Sequence, residues 1–149
     1  MSIKKITITD VAQQAGVSVT TVSLVLSGKG RISPTTVEKV NQAIEQLGYV
    51  RNRQAATLRG GESGVIGLIL RDICEPFYAE MTAGLSEALE AHDKLLFLTQ
   101  SGRDGQGLQR AFDALLAQGV DGIVLAGGIR AAAGLKEKAA EQGVPLVCV

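Results

Sequence analysis

The chain is poor in the residues from which metal sites and disulfide frameworks are made, with one histidine and two cysteines among 149 residues. His92 falls between a helical segment and a strand segment with no second ligand nearby, so it reads as a surface or helix-end residue. Cys74 and Cys148 lack CxxC spacing and read as reduced thiols rather than a zinc site or structural bridge. No run of about twenty apolar residues occurs, and the N-terminus lacks the apolar segment of a signal peptide. A cytoplasmic location without a membrane partner is therefore expected. No GxGxxG follows the first apolar strand, no GxxxxGKS/T is present, and no acid–base pair stands with a nucleophile. The sequence thus offers no support for an enzyme, and no cofactor or metal is expected.

Charge of one sign is also missing overall, since 15 bases meet 15 acids. The balance hides a division. Residues 1–60 hold eight Lys and Arg against three acids, a net +5, and residues 61–149 carry the compensating −5. A basic head on an acidic body favours a polyanion at the head.

The head contains TITDVAQQAGVSVTTVSLVLSG, residues 7–28. Thr7 and Asp10 have capping-box spacing, and Val11, Ala12 and Ala15 make an apolar stripe on a helix of about two turns. Gly16 permits a turn, Val17 can plug it, and Ser18 can cap a second helix that turns Val22, Val25 and Leu26 inward. The outer face of that helix is then short and mostly polar: Val19, Thr20, Thr21, Ser23 and Leu24. Such a face suits base edges and phosphates in a major groove, although small polar residues on a helix are also commonly just solvated. Ser33 and Pro34 start a third helix, with Val37, Val40, Ala43, Ile44 and Leu47 at helical spacing and Gly48 as its stop.

RNRQAATLRGG, residues 51–61, combines three arginines with a short helix-capable core and two glycines. A helix this short is marginal in water, so 52–59 is expected to order on docking. An ordinary linker with one incidental leucine is the plain alternative. From residue 64 the pattern becomes strand 65–70, helix 76–91, strand 94–99, helix 106–118, strand 122–125, helix 133–142 and strand 144–149. This alternation suggests a right-handed parallel βαβ layer with helices on both faces. RDICEPFYAEM lies at the carboxyl end of the first strand, where open α/β sheets bind ligands, and Asp72 and Glu75 are candidate polar partners there. Pro76 as a helix start and Phe77 as a core anchor explain the same residues equally well. Gly127 and Gly128 leave room for a ligand, but read more simply as a turn.

DVAQQAGVSVTTVSLVLSGKGRIS, followed by QAIEQLGYVRNRQAATLRGG, resembles the DNA-binding headpiece and hinge of the lactose-repressor (LacI) family of bacterial transcription regulators. The resemblance extends over the whole chain. It implies an all-α helix-turn-helix headpiece at 1–50, a hinge helix and linker at 51–61, and at 62–149 an incomplete parallel-sheet lobe of the periplasmic-binding-protein-like type. It also implies a repressor of sugar-metabolism genes that reads a palindromic double-stranded operator as a homodimer. Val19, Thr20 and Leu24 take base-contact positions; Thr7, Ser18, Thr21 and Ser23 take phosphate-contact positions. Leu58 matches the leucine that wedges into the minor groove, with Ala55 on the groove side. Phe77 and Tyr78 match positions where relatives line a pocket for a small-molecule effector, a sugar in the full-length form.

Two residues depart from the family pattern. Arg51 stands where proline is usual, so a less rigid approach to the hinge is expected. Leu24 replaces a polar or basic base reader and can make only apolar contacts, such as to a thymine methyl. The last apolar strand has no helix after it, which reads as truncation inside the first lobe, with impaired dimerisation and regulation. A nonfunctional or partial fragment of a repressor stays open as an alternative, as does, from another class, a small-molecule-binding α/β protein or enzyme.

Overall fold

The computed structural model describes residues 4–58, 61–128, 130 and 132–149, with backbone alone at 54 and 56. Arg59 and Gly60 of the expected hinge lie outside the described residues. The chain divides into two compact units, Met1–Asn52 and Arg53–Val149.

The first unit is three helices: α1 (Ile8–Ala15), α2 (Val19–Ser27) and α3 (Pro34–Leu47). Their boundaries follow from local chemistry. At the start of α1, the N–H of Thr7 donates to Asp10 Oδ2 at 2.8 Å, and the Thr7 hydroxyl donates to the same oxygen at 3.2 Å. Ser18 Oγ accepts the Thr21 N–H at 3.1 Å and caps α2, while Ser33 Oγ accepts the Thr36 N–H at 3.3 Å and caps α3. Gly16 stops α1 in the left-handed conformation, φ 69°, where a Cβ would be strained. The three helices bury Val11, Ala12, Val22, Val40 and Ala43. Gln14 Nε2 donates to Gln46 Oε1 at 3.1 Å and ties α1 to α3 at the surface.

The second unit begins with the short helix α4 (Arg53–Leu58) and continues as β1 (Val65–Leu70), α5 (Pro76–Glu90), β2 (Leu95–Gln100), α6 (Leu108–Ala117), β3 (Gly122–Leu125), α7 (Ala133–Glu141) and β4 (Leu146–Cys148). The four strands are parallel in the order β2-β1-β3-β4. Alternation along β1 sorts its side chains between two layers. Val65 and Ile69 join Phe112 and Leu115 of α6 and Leu135 and Ala139 of α7 on one face. Leu68 and Leu70 meet Tyr78, Met81 and Leu85 of α5 on the other. Gly67 lies beneath Leu115, whose Cδ1 would be 2.6 Å from a Cβ there, so α6 approaches β1 closely because this position has no side chain.

The strand beginning near 94 takes the sheet edge. Its Leu95, Phe97 and Leu98 are exposed despite their apolar character. α5 likewise contains no fully buried residue, so the layer on this side is thinner than the alternating apolar pattern suggests.

Candidate nucleic-acid interface

The second helix of the headpiece has two unlike sides. Val22 is fully buried, with Val25 and Leu26 packed around the same core. Thr20 is exposed, and Leu24, one turn on, is half-exposed on the same line. Leu24 reaches over the turn that follows α2, its Cδ2 lying 3.6 Å from where a Cβ of Gly30 would stand. That turn carries Lys29 and Arg31, both exposed. Val19 is partly buried against the headpiece core, so only part of its side chain is left for a base edge.

The four residues matched to phosphate contacts differ in what they have to offer. The Thr7 hydroxyl already donates to Asp10. Ser18 Oγ and Thr21 Oγ1 lie 2.9 Å apart and share one proton, which leaves the other hydroxyl hydrogen for a phosphate oxygen. Ser23 is half-exposed on the outer side. The backbone hydrogen bond from Thr7, aided by its hydroxyl and by Lys4, holds the Asp10 carboxyl below the ordinary carboxylate range, so this end of α1 carries a full negative charge at neutral pH. Lys4 and Lys5 are exposed beside it.

Arg51 does more than replace a proline. Its Nη1 donates to the carbonyl of Leu26 at 3.4 Å, in the last turn of α2, where a cation meets unpaired carbonyls and the negative helix end. A side-chain tether thus supplies some of the restraint that a proline ring would supply. In α4 the Thr57 hydroxyl donates to the Arg53 carbonyl at 3.0 Å. Arg53 Nη2 lies 3.4 Å from the Asp93 carbonyl and 3.5 Å from its carboxylate, linking the first turn of α4 to the α5–β2 turn. Ala55 is half-buried, and Leu58 is 90% exposed.

The α/β unit has an open cavity of about 770 Å³ at the carboxyl ends of β1 and β2, completed by the first turn of α6. Asp72 lines it, but Phe77 and Tyr78 do not. Phe77 is exposed, and Tyr78 packs against Leu68 and Leu70 with its hydroxyl close to Gly127. Asp72 Oδ2 accepts from Arg103 Nε at 2.7 Å, and its Oδ1 accepts the Cys74 N–H at 2.9 Å. The Arg103 bond, more than the Cys74 bond, keeps the Asp72 carboxyl below its usual range, and the same pair raises the Arg103 guanidinium. Arg71, Arg103 and Arg110 were not singled out from the sequence. Their common signal was position: one follows β1, one follows β2, and one sits in the first turn of α6.

These features define a helix-turn-helix module followed by a parallel α/β lobe with a cleft at its strand ends. Residues 7–52 match the bacterial regulatory proteins of the lacI family, and residues 63–149 match the periplasmic binding proteins and sugar binding domain of that family. The chain belongs to the lacI family of bacterial regulatory proteins. It is 62% identical over 144 residues to the maltose regulon regulatory protein MalI of Escherichia coli K12, covering 97% of this chain and 42% of that protein. It is 56% identical over 123 residues to the MalI of Vibrio furnissii, covering 83% of this chain and 90% of that sequence. Among solved structures, the lac repressor dimer bound to operator and the anti-inducer ONPF matches with a TM-score of 0.79 and 30% identity, over 97% of this chain and 44% of that one. The chain therefore spans less than half the length of the E. coli protein and of the lac repressor chain.

Proposed function

We propose that the chain is a sequence-specific DNA-binding transcription regulator, a repressor of sugar-metabolism genes acting as a homodimer on a palindromic operator. The observation that carries this reading is the outward line of Thr20 and Leu24 on a helix whose opposite side is anchored by fully buried Val22. A rigidly seated helix with small outward side chains can approach the floor of a major groove, and two copies related by a twofold axis address two half-sites. Val19, Thr20 and Leu24 face base edges in this arrangement. Ser18, Thr21, Ser23 and Thr7 face phosphates and set the register.

The hinge supplies a second contact. A leucine 90% exposed at the end of a six-residue helix has no folded-state reason to be apolar. Wedged into a base step of the minor groove, with Ala55 on the groove side, it repays unstacking by bending the duplex onto more protein. Residues 1–50 then serve as headpiece, 51–61 as hinge, and 62–149 as the lobe that contributes to dimerisation and holds one wall of a sugar-effector site, with Asp72 on that wall. Such a regulator works in the cytoplasm, where its DNA is, and performs no catalysis.

The test is binding of the purified chain to palindromic and scrambled duplexes across a salt series. A preference for the palindrome that declines linearly with log salt is the expected result. Equal affinity for both duplexes at moderate salt would falsify the proposal.

A further inference from the structure

A six-residue helix does not hold itself in water, because fixing its first turn costs more than its few hydrogen bonds return. The first turn of α4 has support from outside. The Arg53 guanidinium, only 27% exposed, meets three oxygens of the lobe. Its Nη1 lies 3.5 Å from the Ser63 carbonyl and 3.5 Å from the Asp93 carbonyl. Its Nη2 lies 3.4 Å from the Asp93 carbonyl and 3.5 Å from Asp93 Oδ1. Each contact is long, so the seat depends on several acceptors held in place rather than on one strong bond. The sheet holds them. Asp121 accepts the N–H groups of Ser63 and Gly64, each at 2.8 Å, and the Leu95 N–H donates to the Gly64 carbonyl at 2.8 Å. Asp93 is the one non-glycine among the described residues in the left-handed conformation, φ 56°. Gly64 completes the seat: a Cβ there would collide with Arg53 Nη1, so the guanidinium lies where only a glycine leaves room.

We propose that Arg53 is a positioning residue of the hinge: it fastens the first turn of α4 to the lobe, so that Leu58 is presented, and it does not itself contact a DNA phosphate. The inference rests on the hinge reading above and specifies how the hinge is held. Phosphate is the obvious partner for a basic residue beside a groove. This guanidinium, however, has its donors aimed at protein oxygens and is mostly withdrawn from solvent. The backbone carbonyls are its main anchors, because the Asp93 carboxylate is 89% exposed and an exposed ion pair contributes little. The Arg53 carbonyl in turn accepts the Thr57 hydroxyl at 3.0 Å, which carries the restraint across the turn toward Leu58. A turn ordered before docking has less entropy to lose on DNA, so the anchor raises operator affinity without adding a contact.

The experiment compares the full 149-residue chain with Arg53→Gln, Gly64→Ala and Asp93→Asn. Gly64→Ala evicts the guanidinium while leaving every hinge charge in place. Cα chemical shifts of residues 54–58 in the DNA-free chain read the helix, and those of β1 confirm that the lobe is folded. The helical shifts at 54–58 are expected to collapse toward random-coil values in Arg53→Gln and Gly64→Ala and to persist in Asp93→Asn. On the palindromic duplex, Arg53→Gln and Gly64→Ala should each bind about tenfold more weakly, with the slope of log affinity against log salt unchanged. A slope shallower by about 0.9 in Arg53→Gln, with Gly64→Ala binding as the wild type does, makes Arg53 a phosphate contact and overturns the proposal. Unchanged shifts at 54–58 in Arg53→Gln also overturn it, and this variant decides alone where Gly64→Ala fails to fold. The shift measurements need no DNA, so the anchor stands or falls separately from the regulator reading.

Discussion

Asp121 reaches back across the sheet to Ser63: its Oδ1 accepts the Ser63 N–H at 2.8 Å and the Ser63 hydroxyl at 3.0 Å, while its Oδ2 accepts the Gly64 N–H at 2.8 Å. One carboxylate just before β3 thus fixes the chain as it enters β1, immediately after the linker. Ser63 is the only buried polar residue among the described ones, and its hydroxyl also accepts the Val65 N–H at 3.2 Å. Removing the acceptor would strand donors that water reaches poorly. Asp121→Ala is expected to destabilise the α/β unit by about 2 kcal/mol, and Asp121→Asn by less, since one amide oxygen still accepts. Urea unfolding of both variants checks the order; equal stability of wild type and Asp121→Ala would refute the clip.

On the headpiece, Thr20→Ala should weaken binding to the palindromic operator by about tenfold while leaving binding to scrambled DNA unchanged. Thr20 is exposed, so stability is not at issue. Fluorescence anisotropy on the two duplexes reads the difference, and a uniform loss on both would reassign Thr20 to the phosphate backbone.

Leu58→Ala isolates the hinge from the headpiece. Its side chain contributes little to folding at 90% exposure, so the unfolding free energy should hold within the usual surface-mutation range of about 0.5 kcal/mol. Operator affinity should fall, and so should the bend of the bound duplex, measured by end-to-end fluorescence transfer. An unchanged bend would mean that no wedge enters the base stack.

Asp10 links headpiece stability to acid. Its carboxyl is depressed in the folded state, chiefly by the Thr7 backbone hydrogen bond. A depressed carboxylate contributes stability that is fully present above the ordinary carboxylate range and is lost as pH falls through the lower, folded-state value. Headpiece melting temperature should therefore drop on acidification below about pH 4, and the drop should shrink in Asp10→Asn. Parallel pH profiles for the two proteins would count against this linkage.

Much of the headpiece was legible because its determinants are local. Ser18, Ser33, Gly16 and Gly48 act on neighbours within a few residues, and the capping atoms lie where the spacing put them. The inward set Val22, Val25 and Leu26 follows from 3.6-residue periodicity in the same way. Val19 was less legible. Its position near the start of α2 suits a groove contact, but packing against the core claims part of its surface. In the α/β unit, the ranges of β1 and β3 read directly from the apolar runs, whereas the edge position of β2 did not, because an apolar strand looks the same in a sheet centre or at its rim.

What the sequence determined by itself was the run of helices and strands, the basic head and the family, all carried by short spacings and contiguous motifs. The tertiary structure alone decided the strand order, the clip between Asp121 and Ser63, and the gathering of Arg71, Arg103 and Arg110 around one cavity. Phe77 and Tyr78, only a few residues from Asp72, are not among the residues that line that cavity. The physical reason is common to all of these. Each depends on groups brought together by parallel crossovers, with Ser63 and Asp121 separated by 58 residues and Asp72 and Arg103 by 31, and no local propensity encodes which distant strand becomes a neighbour.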